Sequence, residues 1–388
     1  MSYIKKIITD SFESLRKENV VVQAKESVKK LAEYKPARSI VEVSRKYGFA
    51  EKDLIKLAGN ENRWGCSPKV IKAINDNRAF FSYYPDVNAT KLREKLVKKH
   101  NVSEDNLIFG NGSFELLTLI GEAYIGKGDE AIYTDPSFGW YLNVTLKNEG
   151  TIIKVPVTKD KEVDTGGILS RISDKTKVIW LCNPNNPTGT VLAPDELISF
   201  VNKVPENVLI VLDEAYIDFI DGEYIDTVDL VKKHDNVISL RTFSKTYGLA
   251  SFRVGYGIAS KDIIKNLLKV KLPINLNFAA QVSALAAMED KDFFDYVIRS
   301  NRKELEYYYK EFESLGLKFI PSNGNFILVH TGIDGEYVEN EFAKSGIIIR
   351  KGEEFGLDGW LRISVGKSEE NIIVIDTLKK ILNGVNKK

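Results

Sequence analysis

Residues 178–189 read VIWLCNPNNPTG, an apolar strand that runs directly into a polar turn. Two later stretches repeat this arrangement: 208–216 reads VLIVLDEAY, and 237–248 reads VISLRTFSKTYG. Each apolar run has the length and the β-branched content of a buried strand in a parallel sheet. Because ligands bind beyond the carboxyl ends of the strands in open α/β sheets, the three polar stretches predict one shared pocket.

Short apolar strands alternate with amphipathic helices from about residue 55, which is typical of an α/β fold with a mostly parallel sheet. Helices are predicted over Phe114–Ile125 and Pro194–Val201, and the second begins with proline and two acidic residues, as helix N-termini favour. The clearest predicted strands are Ala131–Thr134, Lys177–Cys182, Val208–Leu212, Val237–Leu240 and Gly255–Ala259.

The pattern changes after about residue 275, where a charged helix over Lys291–Leu315 precedes short strands and a closing helix over 369–383. This order favours a smaller α+β domain. The strands are predicted at Asn325–His330, Gly346–Arg350 and Leu361–Val365.

The sequence therefore predicts three parts. An N-terminal arm (1–54) would join the small domain or a dimer partner, and it would be followed by a large domain (55–274) and a small domain (275–388). Helical spacing in the arm predicts one amphipathic helix from Ile4 to Leu15 and a weaker one through Val28 and Leu31.

Composition excludes several classes of protein. The 388 residues carry 55 Lys and Arg against 54 Asp and Glu, so the chain lacks the basic excess of a protein that binds nucleic acid through its charge. No apolar run is long enough to cross a bilayer, and acidic residues in the first 35 positions argue against a signal or transit peptide. Cys66 and Cys182 lie far apart and the three histidines are isolated, so we expect no metal site. A cytoplasmic protein is expected.

The predicted pocket holds the functional groups that pyridoxal phosphate requires. It contains an amine on Lys245, a carboxylate on Asp213, a phenol on Tyr216, an amide on Asn186 and a guanidinium on Arg253. Lys245 follows an apolar strand, and partial burial there would lower the pKa of its amine and make it nucleophilic.

Three motifs in a fixed order and spacing make the chain resemble a known family. Asn186-Pro187-Thr188-Gly189, Asp213-Glu214-Ala215-Tyr216 and Ser244-Lys245 with Arg253 are similar to the signature of fold-type-I pyridoxal-phosphate aminotransferases. Among the class II members, the chain resembles the histidinol-phosphate aminotransferase family in segments that run from LAGNEN (57–62) to LRISVG (361–366). The resemblance covers residue 34 to the end. It implies a three-layer α/β/α large domain with a mostly parallel sheet and a smaller α+β domain.

The resemblance also implies the roles of the catalytic residues. Lys245 would bind pyridoxal phosphate covalently and then carry the proton between the substrate Cα and the cofactor. Asp213 would pair with the pyridine nitrogen and keep it protonated, while Asn186 and Tyr216 would hydrogen-bond the ring oxygen. Catalysis is therefore expected from Lys245, Asp213 and Tyr216.

Further cofactor contacts follow from the same resemblance. Phe138 would stack on the cofactor ring, and Tyr84 would reach the phosphate from a neighbouring subunit. The active site would then be shared within a homodimer. The phosphate would also be held by two residues that open a helix and two near the lysine, namely Gly112, Ser113, Ser244 and Arg253.

The substrates implied are a small-molecule amino donor and a 2-oxo acid acceptor, which react in two half-reactions at one site. Arg362 would bind the anionic end of the substrate, and Arg350 would add a second donor for phosphate. Tyr34, from the arm, would close over the substrate, and Asn60 would line the same side. No nucleic acid or membrane is expected as a partner.

The chain departs from the family pattern at two places, and three alternative functions remain open. Phe114 replaces the usual aspartate, and Arg63-Trp64-Gly65-Cys66 replaces Pro-Leu-Gly-Pro. Added aromatic side chains favour, as one alternative, an aminotransferase of aromatic or broad specificity. Tyr84-Pro85-Asp86-Val87 also resembles threonine-phosphate decarboxylases, which would release carbon dioxide. A non-enzymatic binding module is the third alternative, although the intact Lys245–Asp213 pair speaks against it.

Overall fold

The computed structural model describes residues 22–33 and 36–385. The helices are α1 (Glu26–Lys29), α2 (Ile40–Tyr47), α3 (Pro68–Asn77), α4 (Thr90–His100), α5 (Gly112–Tyr124), α6 (Trp140–Lys147), α7 (Thr165–Leu169), α8 (Pro194–Lys203), α9 (Val228–Lys233), α10 (Lys261–Val270), α11 (Phe278–Ala287), α12 (Lys291–Ser314), α13 (Gly335–Lys344) and α14 (Ser368–Val385). The strands are β1 (Ile55–Lys56), β2 (Leu107–Gly110), β3 (Glu130–Asp135), β4 (Thr151–Pro156), β5 (Thr176–Cys182), β6 (Leu209–Asp213), β7 (Val237–Thr242), β8 (Gly255–Ala259), β9 (Lys318–Ile320), β10 (Phe326–His330), β11 (Ile347–Ile348), β12 (Arg350–Lys351) and β13 (Trp360–Ser364).

A seven-stranded sheet forms the centre of the large body, in the order β2-β8-β7-β6-β5-β3-β4. Its neighbouring strands are parallel except that β8 runs antiparallel to both β2 and β7. Alternate residues of β5 enter different apolar clusters: Ile179 and Leu181 face one side, while Val178 and Trp180 face the other. Helices therefore cover both faces, which explains the nearly continuous apolar strands. The predicted mostly parallel sheet is confirmed.

The C-terminal part contains a four-stranded antiparallel sheet in the order β12-β13-β10-β9. Helices α12, α13 and α14 supply residues to the apolar cluster beside it. The single strand predicted over Gly346–Arg350 is wrong, because the chain divides there between two sheets. Residues of β11 pair in parallel with β1, and β12 pairs with β13. Strand β1 thus ties residues 55–56 to the C-terminal part.

Helix α11 shows where the two parts meet. Ala280 and Ala284 are fully buried in the cluster on one face of the large sheet, together with residues of α3 and α4. The predicted division at residue 275 stays a prediction, and these contacts favour a division after α11.

The N-terminal arm is described only in part. Of the helix predicted through Val28 and Leu31, Val28 lies in the short helix α1, but this helix ends at Lys29 and Leu31 lies beyond it. The helix predicted from Ile4 to Leu15 lies outside the described residues. Among the helices that the structure describes, none is long and apolar enough to cross a membrane.

Candidate active site

A cavity of about 240 Å³ opens where β5, β6 and β7 end. The strand register places Cys182 beside Asp213, and Asp213 beside Leu240, so that the three polar runs predicted from the sequence begin next to one another. The cavity is lined by Gly59, Glu61, Gly112, Ser113, Phe114, Phe138, Cys182, Asn186, Asp213, Ala215, Tyr216, Thr242, Ser244, Lys245, Ala250 and Arg253. The predicted pocket at these strand ends is therefore present.

Lys245 presents its amine at the floor of this cavity. Its Nζ donates hydrogen bonds to the carbonyl oxygens of Gly59, at 3.2 Å, and Asn60, at 3.0 Å. Burial lowers the pKa of Lys245 to about 8; the guanidinium groups of Arg362 and Arg253 act in the same direction, and the charge of Glu61 opposes them. A substantial fraction of the amine is therefore neutral, and hence nucleophilic, near pH 8.

Only one of the two carboxylate oxygens of Asp213 is hydrogen-bonded within the described chain. Tyr141 Oη donates to Asp213 Oδ2 at 2.8 Å, while Oδ1 is buried and has no hydrogen-bond partner among the described residues. Burial raises the pKa of Asp213 to about 6, although the hydrogen bond from Tyr141 acts to lower it. An unsatisfied carboxylate in such a place is costly unless a donor completes it, so its free oxygen points to a protonated group of a ligand.

Tyr216 and Asn186 are each fixed by a neighbour. Asn60 Nδ2 donates to Tyr216 Oη at 3.0 Å, and Arg362 Nη1 donates to Asn186 Oδ1 at 2.6 Å. Arg362 is buried and also donates to the carbonyl of Ala58 at 2.7 Å. Asn60 and Arg362, two predicted substrate residues, are therefore hydrogen-bonded to Tyr216 and Asn186, the predicted cofactor residues that line the cavity.

The start of helix α5 and Arg253 form a cradle suited to an anion. Arg253 Nη2 donates to the carbonyl of Asn111 at 3.2 Å, directly before the helix begins at Gly112. Gly112 has a φ of +69°, and a Cβ on it would lie 2.6 Å from Arg253 Nη2. Ser244 Oγ accepts from Thr242 Oγ1 at 3.0 Å on the same side of the cavity. Backbone N–H groups at a helix start and a guanidinium together suit a phosphate.

Replacing Gly112 with alanine is expected to weaken cofactor binding about 10-fold. The added methyl would displace the Arg253 guanidinium, and the left-handed backbone would cost about 1–2 kcal/mol for a residue with a side chain. Equilibrium binding of pyridoxal phosphate, followed by absorbance, measures this effect. Gly139→Ala is the control, since a Cβ there meets no described atom within 4 Å. Equal affinity of the two variants would contradict the assignment of the cradle.

Aromatic side chains form one wall of the cavity. Phe138 meets Phe114 edge to face, with ring centroids 5.1 Å apart, and Phe114 lies 5.0 Å from the ring of Trp140. Such edge contacts hold the rings in fixed orientations. Phe114, the departure noted in the sequence, thus contributes an apolar surface to the cavity next to Phe138.

The other predicted site residues do not line this cavity, or they lie outside the described chain. Tyr84 is at the surface with 88% of its area exposed, and it does not line the cavity of its own chain. Arg350 lies opposite Arg362 in the register of β12 and β13, and it forms an ion pair with Glu354. Tyr34 lies outside the described residues. All nine other predicted cofactor residues line the one cavity.

The substituted loop at 63–66 is bound within the chain. Arg63 forms an ion pair with Glu370 of helix α14, and Nε lies 3.1 Å from its Oε2. The charge of Arg63 is therefore paired with a carboxylate of the C-terminal part. Trp64 packs against the apolar cluster of the small sheet.

Three polar residues at the site, Glu61, Tyr141 and Thr242, were not identified from the sequence. Tyr141, which binds Asp213, lies in α6 and belongs to none of the recognised motifs. Glu61 lies within LAGNEN and lines the cavity, with Oε1 2.5 Å from Lys56 Nζ. Burial would raise the pKa of Glu61, but the hydrogen bond from Lys56 and the charges of Lys56 and Lys245 lower it, so it stays ionised. The position of Glu61 next to Asn60 in the LAGNEN segment is the sequence feature from which its place in the site could have been predicted.

The residues present fit pyridoxal phosphate at each polar position. The free Oδ1 of Asp213 suits a protonated ring nitrogen, the cradle at Gly112 and Arg253 suits a phosphate, and the amine of Lys245 suits an aldehyde. The described residues contain no group of three or more His, Cys, Asp or Glu side chains that could hold a metal ion.

Comparison with known proteins places this geometry in a family. Residues 52–378 match the family described as aminotransferase class I and II. A protein named histidinol-phosphate aminotransferase 2, from Carboxydothermus hydrogenoformans, is 40% identical over 360 residues, which is 92% of this chain and 99% of that protein. The histidinol-phosphate aminotransferase of Caldicellulosiruptor saccharolyticus is 41% identical over 359 residues, again 92% of this chain and 99% of the relative.

A solved structure shares the fold. The histidinol-phosphate aminotransferase of Sinorhizobium meliloti, crystallised with pyridoxal-5′-phosphate, matches with a TM-score of 0.87 at 24% identity and covers 95% of this chain and 99% of that one. This likeness confirms the predicted fold-type-I architecture.

Proposed function

The chain belongs to the class I and II aminotransferase family and is a pyridoxal-phosphate-dependent enzyme, and we propose that it transfers an amino group between histidinol phosphate and 2-oxoglutarate. The observation that carries the proposal is one cavity that combines the Lys245 amine, the free oxygen of Asp213 and, behind Asn186, the buried guanidinium of Arg362. Relatives about 40% identical over nearly their whole length bear the name of this activity.

The chain supplies the proton transfer and the charges around the reaction. When bound, the cofactor supplies an electron sink that allows a proton to leave the substrate Cα. Lys245, with a pKa near 8, can hold or release that proton close to neutral pH. Asp213 is ionised above about pH 6, so it can hold a proton on a ring nitrogen. Between pH 7 and 8 the ionised carboxylate and a partly neutral amine coexist.

Substrate recognition is proposed to rest on Arg362. Its guanidinium is already oriented by the Ala58 carbonyl and by Asn186, so little freedom is lost when it binds an anion. A planar guanidinium can donate paired hydrogen bonds to either a carboxylate or a phosphate, and this would let glutamate and histidinol phosphate use one site in turn. Alternation of the two substrates predicts ping-pong kinetics.

Arg362→Lys is expected to lower kcat/KM for histidinol phosphate about 100-fold. Lysine keeps the charge but loses the planar fork, and it cannot serve Asn186, Ala58 and a substrate together. Steady-state kinetics with both amino donors measure the loss. Arg38→Lys is a matched control, because Arg38 is also largely buried but pairs with Glu339 away from the cavity. A variant with unchanged kcat/KM for both donors would contradict this role.

A single-turnover experiment tests the proposed substrate. The purified holoenzyme is mixed separately with histidinol phosphate, glutamate, phenylalanine and threonine phosphate, and conversion of the cofactor to its amine form is followed by absorbance. We expect fast conversion with histidinol phosphate and glutamate only. The wall of Phe114 and Phe138 makes an aromatic aminotransferase the second candidate, and equal or faster conversion by phenylalanine would establish it. Carbon dioxide release from threonine phosphate would instead show a decarboxylase.

A homodimer is proposed as the working assembly, in the cytoplasm. Tyr84 is almost fully exposed, and Tyr83 beside it is 70% exposed. Phe80 and Phe81 are half exposed and contact the ring of Phe278. These exposed aromatic side chains support a subunit contact through which Tyr84 reaches the phosphate cradle of a second copy. Sedimentation of the holoenzyme tests the assembly, and a monomer with full activity would contradict it.

A further inference from the structure

The segment that carries the carbonyls facing Lys245 lies against the end of strand β13. Ser364 N donates to the carbonyl of Leu57 at 2.8 Å, and Arg362, two residues earlier in β13, donates to the carbonyl of Ala58. Asn60 N donates to Ser364 Oγ at 2.8 Å, and Ser364 Oγ lies 3.1 Å from Asn60 Oδ1, to which it donates. One serine hydroxyl therefore binds both the backbone and the side chain of Asn60.

Asn60 needs such support because its backbone conformation is unfavourable. Its φ is +53°, in the left-handed region that residues with a side chain rarely adopt, and only 1% of its surface is exposed. In this conformation its carbonyl accepts from Lys245 Nζ at 3.0 Å and from Asn325 Nδ2 at 2.9 Å. Its side-chain amide at the same time donates to Tyr216 Oη. Asn60 thus connects two of the predicted catalytic residues.

We propose that Ser364 is a positioning residue of the active site, which acts through Asn60 to place the Asn60 carbonyl against Lys245 and the Asn60 amide against Tyr216. The proposal rests on the function proposed above. Ser364 is 1% exposed and does not line the cavity, so any effect on the reaction must pass through Asn60. Without the hydroxyl, Asn60 N and Oδ1 would be buried without this partner, and relaxing the left-handed backbone would turn the carbonyl away from the amine.

The expected signature is electrostatic. A carbonyl that accepts from an ammonium group stabilises the charged form of the amine and so raises its pKa. Losing that carbonyl should therefore lower the pKa of Lys245 below its value of about 8. A shift of about one unit is expected, the size that corresponds to one hydrogen bond to a charged group. A serine that only packs the sheet would change the melting temperature and leave this pKa unchanged.

The test uses the full chain stripped of cofactor and then reloaded. Covalent recapture of pyridoxal phosphate requires the neutral amine, so its rate, followed by absorbance across a pH series, reports the pKa of Lys245. In Ser364→Ala the midpoint should fall by about one unit. The kcat of the reloaded enzyme should fall about 10- to 100-fold because the amine and the phenol are displaced, while KM for the amino donor changes by less than about threefold.

Matched variants make the result decisive. Ser364→Thr keeps the hydroxyl and should retain the wild-type midpoint. Ser364→Cys keeps about the same volume but has a much weaker hydrogen-bonding group, so it should shift the midpoint as Ser364→Ala does. It takes the place of Ser364→Ala if the alanine variant fails to fold. Ser283→Ala is the control for losing a buried hydroxyl, since Ser283 lies in α11 and its Oγ has no hydrogen-bond partner in the described part of the chain.

The experiment distinguishes failure of the positioning role from failure of the proposed function. A folded Ser364→Ala or Ser364→Cys protein with the wild-type midpoint and kcat would overturn the positioning role. A wild-type protein that takes up no pyridoxal phosphate would overturn the proposed function instead.

Discussion

Replacing Lys245 with alanine is expected to lower turnover by about 10⁴-fold or more while leaving the fold intact. The amine is the group in the cavity that can both attack an aldehyde and carry a proton near neutral pH, because burial has lowered its pKa to about 8. Its hydrogen bonds go to two backbone carbonyls, and removing a buried charge from such a site does not destabilise the core. Single-turnover absorbance with histidinol phosphate measures the loss, together with the loss of the covalently bound cofactor signal.

Lys95→Ala serves as the control for this variant. Lys95 is also a partly buried lysine, with 32% of its side chain exposed, but it pairs with Glu289 away from the cavity. It should keep wild-type turnover. Normal turnover by Lys245→Ala would exclude the proposed chemistry altogether, whatever the substrate.

Asp213→Asn is expected to lower kcat about 10³-fold, because asparagine has the same shape but cannot hold a proton on a ring nitrogen by its charge. Asn at this position can still accept the hydrogen bond from Tyr141, so the geometry should persist. Steady-state kinetics of the reloaded enzyme measure the loss. Glu304→Gln, a buried carboxylate that binds Asn371 outside the cavity, should keep its kcat. An Asp213→Asn enzyme within tenfold of wild type would contradict the role.

The same substitution should stabilise the cofactor-free chain. The pKa of Asp213 is raised from 3.8 to about 6, so the folded state holds the proton more tightly than the unfolded state does. Ionisation therefore opposes folding; the penalty grows as the pH rises from about 4 to 6 and is complete above that range. A shift of two units corresponds to about 3 kcal/mol, the upper limit of the gain for Asp213→Asn at pH 7. Below pH 4 the two proteins should unfold alike in urea.

If Asp213→Asn loses activity but gains stability, the Asp213 carboxylate serves the reaction and lowers the free energy of unfolding. An equal free energy of unfolding for both proteins at pH 7 would show that the buried carboxylate is stabilised by some other contact. Added pyridoxal phosphate should reverse the order, because it supplies the partner that the free oxygen lacks.

Five strands and two helices of the large body followed from local sequence, whereas strands β2 and β4 and the other helices were not predicted. Strand β8 was predicted to the residue, and β5 to within one residue at its start, because apolar runs of five to seven residues between polar turns leave few alternatives. The strand over Gly346–Arg350 was wrong for a reason that no local pattern contains. Ile347 and Arg350 pair with different strands, and the partner of Ile347 lies almost 300 residues earlier, at Ile55.

Residue types and their order by themselves determined the mostly parallel sheet and a pocket at its strand ends, because motifs at the ends of adjacent strands must converge. The resemblance that these motifs carry implied the family and nine residues that line one cavity. Only the tertiary structure decided the pKa values of the site residues and which distant side chains hold them in position. Burial sets the pKa values of Lys245 and Asp213, and Tyr141 and Ser364 reach the site from distant segments. Arg63 is bound by Glu370, a partner about 300 residues away along the chain. Desolvation and hydrogen bonding depend on which segments meet, and that is a property of the folded chain.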